Sequence, residues 1–385
     1  MNNDIFRHGG AIDLAAAHYN IALSQWLDLS TGINPTPYPV KGTNIAPETW
    51  QRLPLKRDTD AAICAARHYY DVGSVNHIAC GPGTQALLQL VPFILAETDQ
   101  VKRVAIFGPT YGEHAPAWER AHVTTTEIFA TPDIRQTIVR NQPLAPTSRI
   151  KNAPANNAVS NFGWLGLTPV ETLANIVNDH DAFVIVNPNN PDGGYFDRQS
   201  LFDFACYLQE RGKYLILDEA FADTTPDLSL CPQIHHLTHT VILRSFGKFF
   251  GLAGARVGFA LSHPALIAKI SDRLGPWAVP GPALHIATAA LGDDKWHHAM
   301  RTSLHLQANW LDQQLSKING CKLIGGTDLL RLYQGEMLPA LQKHLAQCGI
   351  WVRGFTQAPT WLRFGLPGTK ENQNRLQTAL ESFCL

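Results

Sequence analysis

The strongest constraint on how this chain can fold is a series of short, almost unbroken apolar runs set between longer amphipathic stretches. Val104–Phe107, Phe183–Val186, Tyr214–Leu217, Val241–Arg244 and Arg256–Leu261 are rich in β-branched and aromatic residues with little polar alternation. A strand with one wet face alternates, whereas a strand buried on both faces has no need to. These five runs are therefore expected to be strands of a mostly parallel sheet covered by helices. Between the second and third, Arg198–Arg211 places Leu201, Phe202, Phe204, Ala205 and Leu208 at helical spacing, and Gly212 follows as a helix-ending glycine. Strand, helix, strand in this order is an α/β arrangement.

The ends of the chain carry a different pattern. Ile12–Leu23 is amphipathic and is followed by a segment holding Pro35, Pro37 and Pro39. After Leu274-Gly275-Pro276 a helical pattern runs to about Lys317, and a shorter mixture continues through Arg353 and Arg363. The expected organisation is a large domain over residues 50–270 and a smaller α+β domain built from residues 1–49 and 271–385, which a chain of 385 residues can supply. Asn141–Asn161 is polar and rich in Pro and Asn, the composition of a long loop.

Composition narrows the function classes. A net charge of −1 offers no basic footprint for nucleic acid or an acidic membrane surface. No apolar run approaches the roughly 20 residues of a spanning helix, and Met1-Asn2-Asn3-Asp4 lacks the basic and apolar regions of a secretory leader. The seven cysteines are scattered with no Cys-x-x-Cys pair, which reads as reduced thiols in a cytoplasmic protein. His235-His236-Leu237-Thr238-His239 and His297-His298 lack the glutamate of the zinc-protease pattern, so no metal site is expected.

The chemistry concentrates in motifs that follow the apolar runs. Lys248 sits in Ser245-Phe246-Gly247-Lys248-Phe249-Phe250-Gly251-Leu252-Ala253-Gly254-Ala255-Arg256. Pyridoxal phosphate needs a lysine to bond its aldehyde, a cradle for its phosphate and groups that tune its ring. Cys80-Gly81-Pro82-Gly83-Thr84-Gln85 is a tight turn leading into an apolar helical run, a geometry that aims free N–H groups and a helix dipole at an anion. Ser245 adds a hydroxyl, and Arg256 a charged fork, to the same anion. Asp218 ends the run Tyr214–Leu217, at the sheet edge where ligands of open α/β folds bind, and a carboxylate there holds a pyridine nitrogen protonated; a helix N-cap is the alternative use of such an aspartate. Asn190, in Asn187-Pro188-Asn189-Asn190-Pro191-Asp192-Gly193, is placed to donate to the ring's phenolic oxygen, or is simply a turn residue. Tyr111, in Gly108-Pro109-Thr110-Tyr111-Gly112-Glu113-His114, is placed to stack on the ring.

Together these residues resemble the fold-type I, aspartate-aminotransferase superfamily of pyridoxal-phosphate enzymes, along nearly the whole chain. The resemblance implies that Lys248 is the catalytic lysine and that Arg363, in Trp361-Leu362-Arg363-Phe364, binds a substrate carboxylate. It also implies a homodimer with the site at the subunit interface. Within the superfamily, His8-Gly9-Gly10-Ala11-Ile12, Leu27-Asp28-Leu29-Ser30-Thr31-Gly32-Ile33-Asn34-Pro35 and Asp218-Glu219-Ala220-Phe221-Ala222-Asp223 resemble the threonine-phosphate decarboxylase family of cobalamin biosynthesis. That likeness implies substrate contacts from Arg353, ten residues before Arg363, and from His8 and Asn34. Two guanidinium groups suit a substrate carrying a carboxylate and a phosphate. Histidinol-phosphate aminotransferases share the cofactor motifs, so an aminotransferase of that or the aromatic type is the alternative. Phe221, where many aminotransferases carry tyrosine, speaks against it. Gly81-Pro82-Gly83-Thr84-Gln85 departs from the family's Gly-Asn-Gly-Glu-Thr, which leaves open which amides meet the phosphate.

Overall fold

A computed structural model describes residues 9–42, 45–129 and 170–383 of the chain. His8 and the segment Asn141–Asn161 lie outside the described residues. The chain enters through β1 (Leu27–Leu29) and then builds a seven-stranded sheet from β2 (Ile78–Gly81), β3 (Arg103–Gly108), β4 (Thr124–Phe129), β5 (Ala182–Val186), β6 (Tyr214–Asp218), β7 (Thr240–Ser245) and β8 (Gly258–Leu261). Their spatial order is β2-β8-β7-β6-β5-β3-β4. β4, β3, β5, β6 and β7 pair in parallel, while β8 runs antiparallel to both β7 and β2.

The unbroken apolar runs have a direct physical cause. Successive side chains of a strand point to opposite faces. Here Phe183, Ile185, Leu215, Leu217 and Ile242 enter one core, while Ala182, Val184, Ile216, Val241 and Leu243 enter another. Each large apolar side chain removed from water contributes about 1.5–3 kcal/mol, so both faces of the central strands must be apolar. The expected helix after β5 spans Arg198–Gln209; the Asp197 side chain accepts from the Ser200 N–H at 2.9 Å at its start, and Gly212 turns the chain at φ +64° beyond its end. Two expected boundaries shift. The last run begins its strand at Gly258 rather than Arg256, because Arg256 adopts a left-handed φ of +52°. The first helix covers Ile12–Tyr19 and stops before Leu23, because Asn20 turns left-handed at φ +54°, a conformation asparagine tolerates.

The remaining strands, β9 (Lys322–Thr327), β10 (Leu330–Gln334), β11 (Ile350–Gly354) and β12 (Trp361–Gly365), form a second sheet in the order β1-β11-β12-β10-β9. β1 pairs in parallel with β11, so residues from the beginning and end of the chain share this sheet. Its Val352, Leu362 and Phe364 join the core on one face of the larger sheet. The segment after β1 straps onto the loop after β7: the Asn34 N–H donates to the Lys248 carbonyl and the Tyr38 N–H to the Phe250 carbonyl, each at 2.9 Å. Among the described residues no helix is long and apolar enough to cross a membrane, and no three His, Cys, Asp or Glu side chains group as a metal site requires.

Candidate active site

The candidate side chains collect at one edge because the parallel strands end there. β6 ends on Asp218, β7 on Ser245, β5 leads to Asn190, β3 to Tyr111 and β2 to Gly83. The chain order reverses direction between β3 and β5, the kind of crevice where ligands of open α/β sheets bind. A cavity of about 380 Å³ occupies this edge, and Lys248 opens into it. A second, also about 380 Å³, lies alongside; Tyr111, Glu113, Asn190, Phe221 and Lys248 line both.

At one end of the first cavity, helix Thr84–Thr98 begins immediately after Gly83. The first N–H groups of a helix have no partner within it and carry the positive end of its dipole. Gly83 adopts φ +87°, which favours glycine, and a Cβ there would lie 2.6 Å from Arg256 Nη2, so any side chain would have to push the guanidinium away from this turn. The left-handed conformation of Arg256 is costly for a residue with a side chain, and it aims the exposed guanidinium toward the same turn. The side chains of Thr84 and Gln85, at the start of this helix, are engaged with neighbouring groups. Thr84 Oγ1 donates to the Arg244 carbonyl at 3.0 Å. Gln85 donates to Glu113 Oε2 at 3.3 Å and accepts from the Tyr111 hydroxyl at 3.1 Å. The donors left for an anion are the helix N–H groups, Ser245 and Arg256.

At the other end, Asp218 is buried. Its Oδ1 accepts the Ala220 N–H at 3.0 Å, and its Oδ2 lies 3.1 Å from Nε2 of the buried His114. Lys248 Nζ sits 5.5 Å from the Phe221 ring centroid. Burial, reinforced by Arg363 and Arg256 and opposed by Asp218, brings the Lys248 amine down from 10.5 to about 8. Burial also pushes the Tyr111 phenol up to about 12, so it stays protonated near neutral pH.

The second cavity carries both late arginines. β11 and β12 are antiparallel with Arg353 directly opposite Arg363, which puts both side chains on one face of the sheet. Arg363 is buried; Nη1 donates to Asn190 Oδ1, Nη2 donates to the Ser30 carbonyl at 2.7 Å, and Nε has no hydrogen-bond partner among the described residues. Burial, followed by the charge of Arg353, lowers Arg363 to about 10.

These residues fit pyridoxal phosphate: an amine of lowered proton affinity, a glycine-containing anion cradle and a buried carboxylate line one cavity of suitable chemistry. Asn34 does not line either cavity; its Nδ2 donates to the Phe249 carbonyl at 2.7 Å and its Oδ1 accepts the Thr36 N–H at 2.8 Å, so its amide is committed to the strap over the lysine loop. Sequence reasoning missed His114. The signal was available, since His114 closes the quoted Gly108–His114 loop, but only the fold shows that it meets Asp218.

Comparisons with known proteins agree with this geometry. The profile of the family "Aminotransferase class I and II" matches residues 52–380. The chain is 36% identical over 374 residues to a threonine-phosphate decarboxylase of Sinorhizobium sp., covering 97% of each chain. It is 36% identical over 380 residues to a threonine-phosphate decarboxylase of Pseudomonas aeruginosa, covering 98% of each. In three dimensions it resembles a histidinol-phosphate aminotransferase of Sinorhizobium meliloti solved with pyridoxal-5'-phosphate, with a TM-score of 0.75 at 17% identity over 96% of this chain and 94% of that one. By the profile and the two full-length relatives, the chain belongs to the aminotransferase class I and II family, on the side of it that holds the threonine-phosphate decarboxylases.

Proposed function

We propose that the chain is a pyridoxal-phosphate-dependent carboxy-lyase that converts L-threonine O-3-phosphate to (R)-1-aminopropan-2-yl phosphate and carbon dioxide, a step of cobalamin biosynthesis. The cross-strand pair Arg353 and Arg363 carries this reading. Like charges directly opposite each other destabilise a sheet. A pair of this kind on a cavity shared with Lys248 is accounted for by a ligand that brings two anions. Threonine phosphate has both, in one small molecule with an amine. The two full-length relatives named above bear this activity in their names.

When bound, the cofactor would supply a conjugated ring able to accept an electron pair from Cα. Gly83, the helix N–H groups, Ser245 and Arg256 would hold its phosphate, and Asn190 and Tyr111, which line the same cavity, would face its ring. Asp218, fixed by His114 and the Ala220 N–H, keeps a proton on the ring nitrogen. Arg363, held by Asn190 and Ser30, presents its remaining N–H groups to the substrate carboxylate. Arg353, opposite it and less buried, takes the phosphate. Anchoring both ends fixes which Cα bond is set to break, and positioning of this type is worth several kcal/mol. Lys248 would bond the cofactor's aldehyde and, with water as the alternative, is the group placed to return a proton to Cα.

In the same reading, residues 50–270 form the cofactor domain, the terminal segments form the smaller domain, and the protein works in the cytoplasm as a homodimer. Support for the dimer is an apolar surface: Trp50, Leu53, Leu55 and Trp277 are 71%, 59%, 39% and 59% exposed, and Leu55 and Trp277 line one groove. The test of the activity is to supply L-threonine O-3-phosphate to the cofactor-loaded protein and measure carbon dioxide and aminopropanol phosphate. Amino transfer to a 2-oxo acid without carbon dioxide release would replace this reading with an aminotransferase.

A further inference from the structure

Ser30 is fully buried just after β1, and hydrogen bonds converge on it from three directions. Asp28 Oδ1 accepts both the Ser30 N–H at 2.8 Å and the Ser30 hydroxyl at 2.6 Å. With its proton given to Asp28, the hydroxyl oxygen can only accept, and it takes the Gly10 N–H at 2.7 Å. The carbonyl of the same residue accepts from Arg363 Nη2 at 2.7 Å. A Cβ added to Gly9 would lie 2.4 Å from that carbonyl oxygen. Gly9 therefore passes against the very atom that holds Arg363, and it lines the second cavity together with Thr31, Gly32, Arg353 and Arg363.

We propose that Ser30, clamped by Asp28, is a positioning residue that seats the Gly9-Gly10 segment and aims Arg363 through one peptide unit, so that the cavity wall and the anion-binding guanidinium are set together. The proposal rests on the reading of Arg363 as the carboxylate anchor. Arg363 has three donor nitrogens. Asn190 holds one and Ser30 another, so a displaced Ser30 carbonyl leaves the guanidinium turning about a single contact, with Nε no longer directed. Asp28 contributes by fixing the hydroxyl proton, which decides that the oxygen faces Gly10 as an acceptor.

The test uses the cofactor-loaded protein and three variants: Ser30→Ala, Asp28→Asn and Gly9→Ala. Binding of L-threonine O-3-phosphate and of L-threonine is followed through the visible absorbance of the cofactor. Each variant is expected to weaken both ligands by about tenfold, because both present the carboxylate, and to raise KM with little change in kcat, while cofactor affinity stays as it was. Gly9→Ala is the sharpest variant, since its methyl would fall 2.4 Å from the Ser30 carbonyl oxygen. Gly9→Ala combined with Ser30→Ala should cost no more than the larger single change, because both act on one peptide. Coupling between two sites is reciprocal, so Arg363→Met should speed amide hydrogen exchange at Gly10 by about tenfold. Unaltered ligand binding in Gly9→Ala and Ser30→Ala, additive losses in the double variant, or unchanged exchange at Gly10 would each overturn the proposal. Should the unaltered protein bind neither ligand, the substrate reading falls, and the exchange measurement still decides the role of Ser30.

Discussion

Replacing Lys248 by methionine is expected to stabilise the protein prepared without cofactor. The amine is half-buried and opens into the two cavities it lines. Burial is the main reason its proton affinity falls from 10.5 to about 8, with Arg363 and Arg256 adding to the fall and Asp218 opposing it. Each tenfold change in proton affinity corresponds to about 1.4 kcal/mol, so the charged amine costs the folded state up to about 3 kcal/mol. The direction of the pH dependence follows from proton counts. Below about 8 the amine is charged in both states and the full cost is present; between about 8 and 10.5 the unfolded chain keeps a proton that the folded chain has released. Stability of the unaltered protein therefore rises with pH across that window. Methionine has similar length and no charge, so its advantage should be largest near pH 7, shrink across the window and vanish above it. Urea unfolding of both proteins at three pH values measures this directly. A methionine variant no more stable than the unaltered protein at pH 7, or an advantage that does not change with pH, would refute the reasoning. The same lowered affinity serves function, because the neutral amine that attacks an aldehyde is about 300-fold more abundant at pH 7 than for an ordinary lysine.

Arg244 is buried between Glu219 and Asp223, donating to Glu219 Oε2 at 2.6 Å and to Asp223 Oδ1. Arg244→Met strands two buried carboxylates and should cost about 3–5 kcal/mol in urea unfolding. Gly83→Ala puts a methyl 2.6 Å from Arg256 Nη2 and a side chain on a φ of +87°. Displacing that guanidinium removes a charged hydrogen bond of about 1.5–3 kcal/mol, so absorbance titration should show cofactor affinity lowered by about tenfold to a hundredfold. Arg353→Met should raise KM for threonine phosphate by about the same factor and leave binding of unphosphorylated threonine unchanged; equal losses for the two ligands would assign Arg353 to the carboxylate instead.

How far the sequence could be read depends on where each strand sits in the sheet. β5, β6 and β7 lie in its middle, both faces are buried, and their apolar runs are unmistakable. β4 is an edge strand, Thr-Thr-Thr-Glu-Ile-Phe, with no demand for two apolar faces, and β2 has only Ile-Ala-Cys-Gly. Neither was legible as a strand. Asp218 and Ser245 could be placed at the cavity edge from sequence because each ends a legible strand. Asn34 was placed by likeness alone, and likeness gives a position without saying where the side chain points. In the fold its amide turns to Phe249 and Thr36.

What the sequence conceals most completely is pairing between strands. His114 is one of 16 histidines in one-letter code, and it becomes distinct only because the ends of β3 and β6 meet across β5. The ten-residue interval between Arg353 and Arg363 is equally mute until a register is fixed. A shift of that register by one residue would send one guanidinium to the opposite face of the sheet. The observed register puts Arg353 opposite Arg363 and Gly354 opposite Leu362. Two like charges on one face are unfavourable without an anion between them. In the proposed reading, an anionic substrate between the two guanidinium groups would ease this repulsion, in addition to the favourable charge of Asp28 on Arg363.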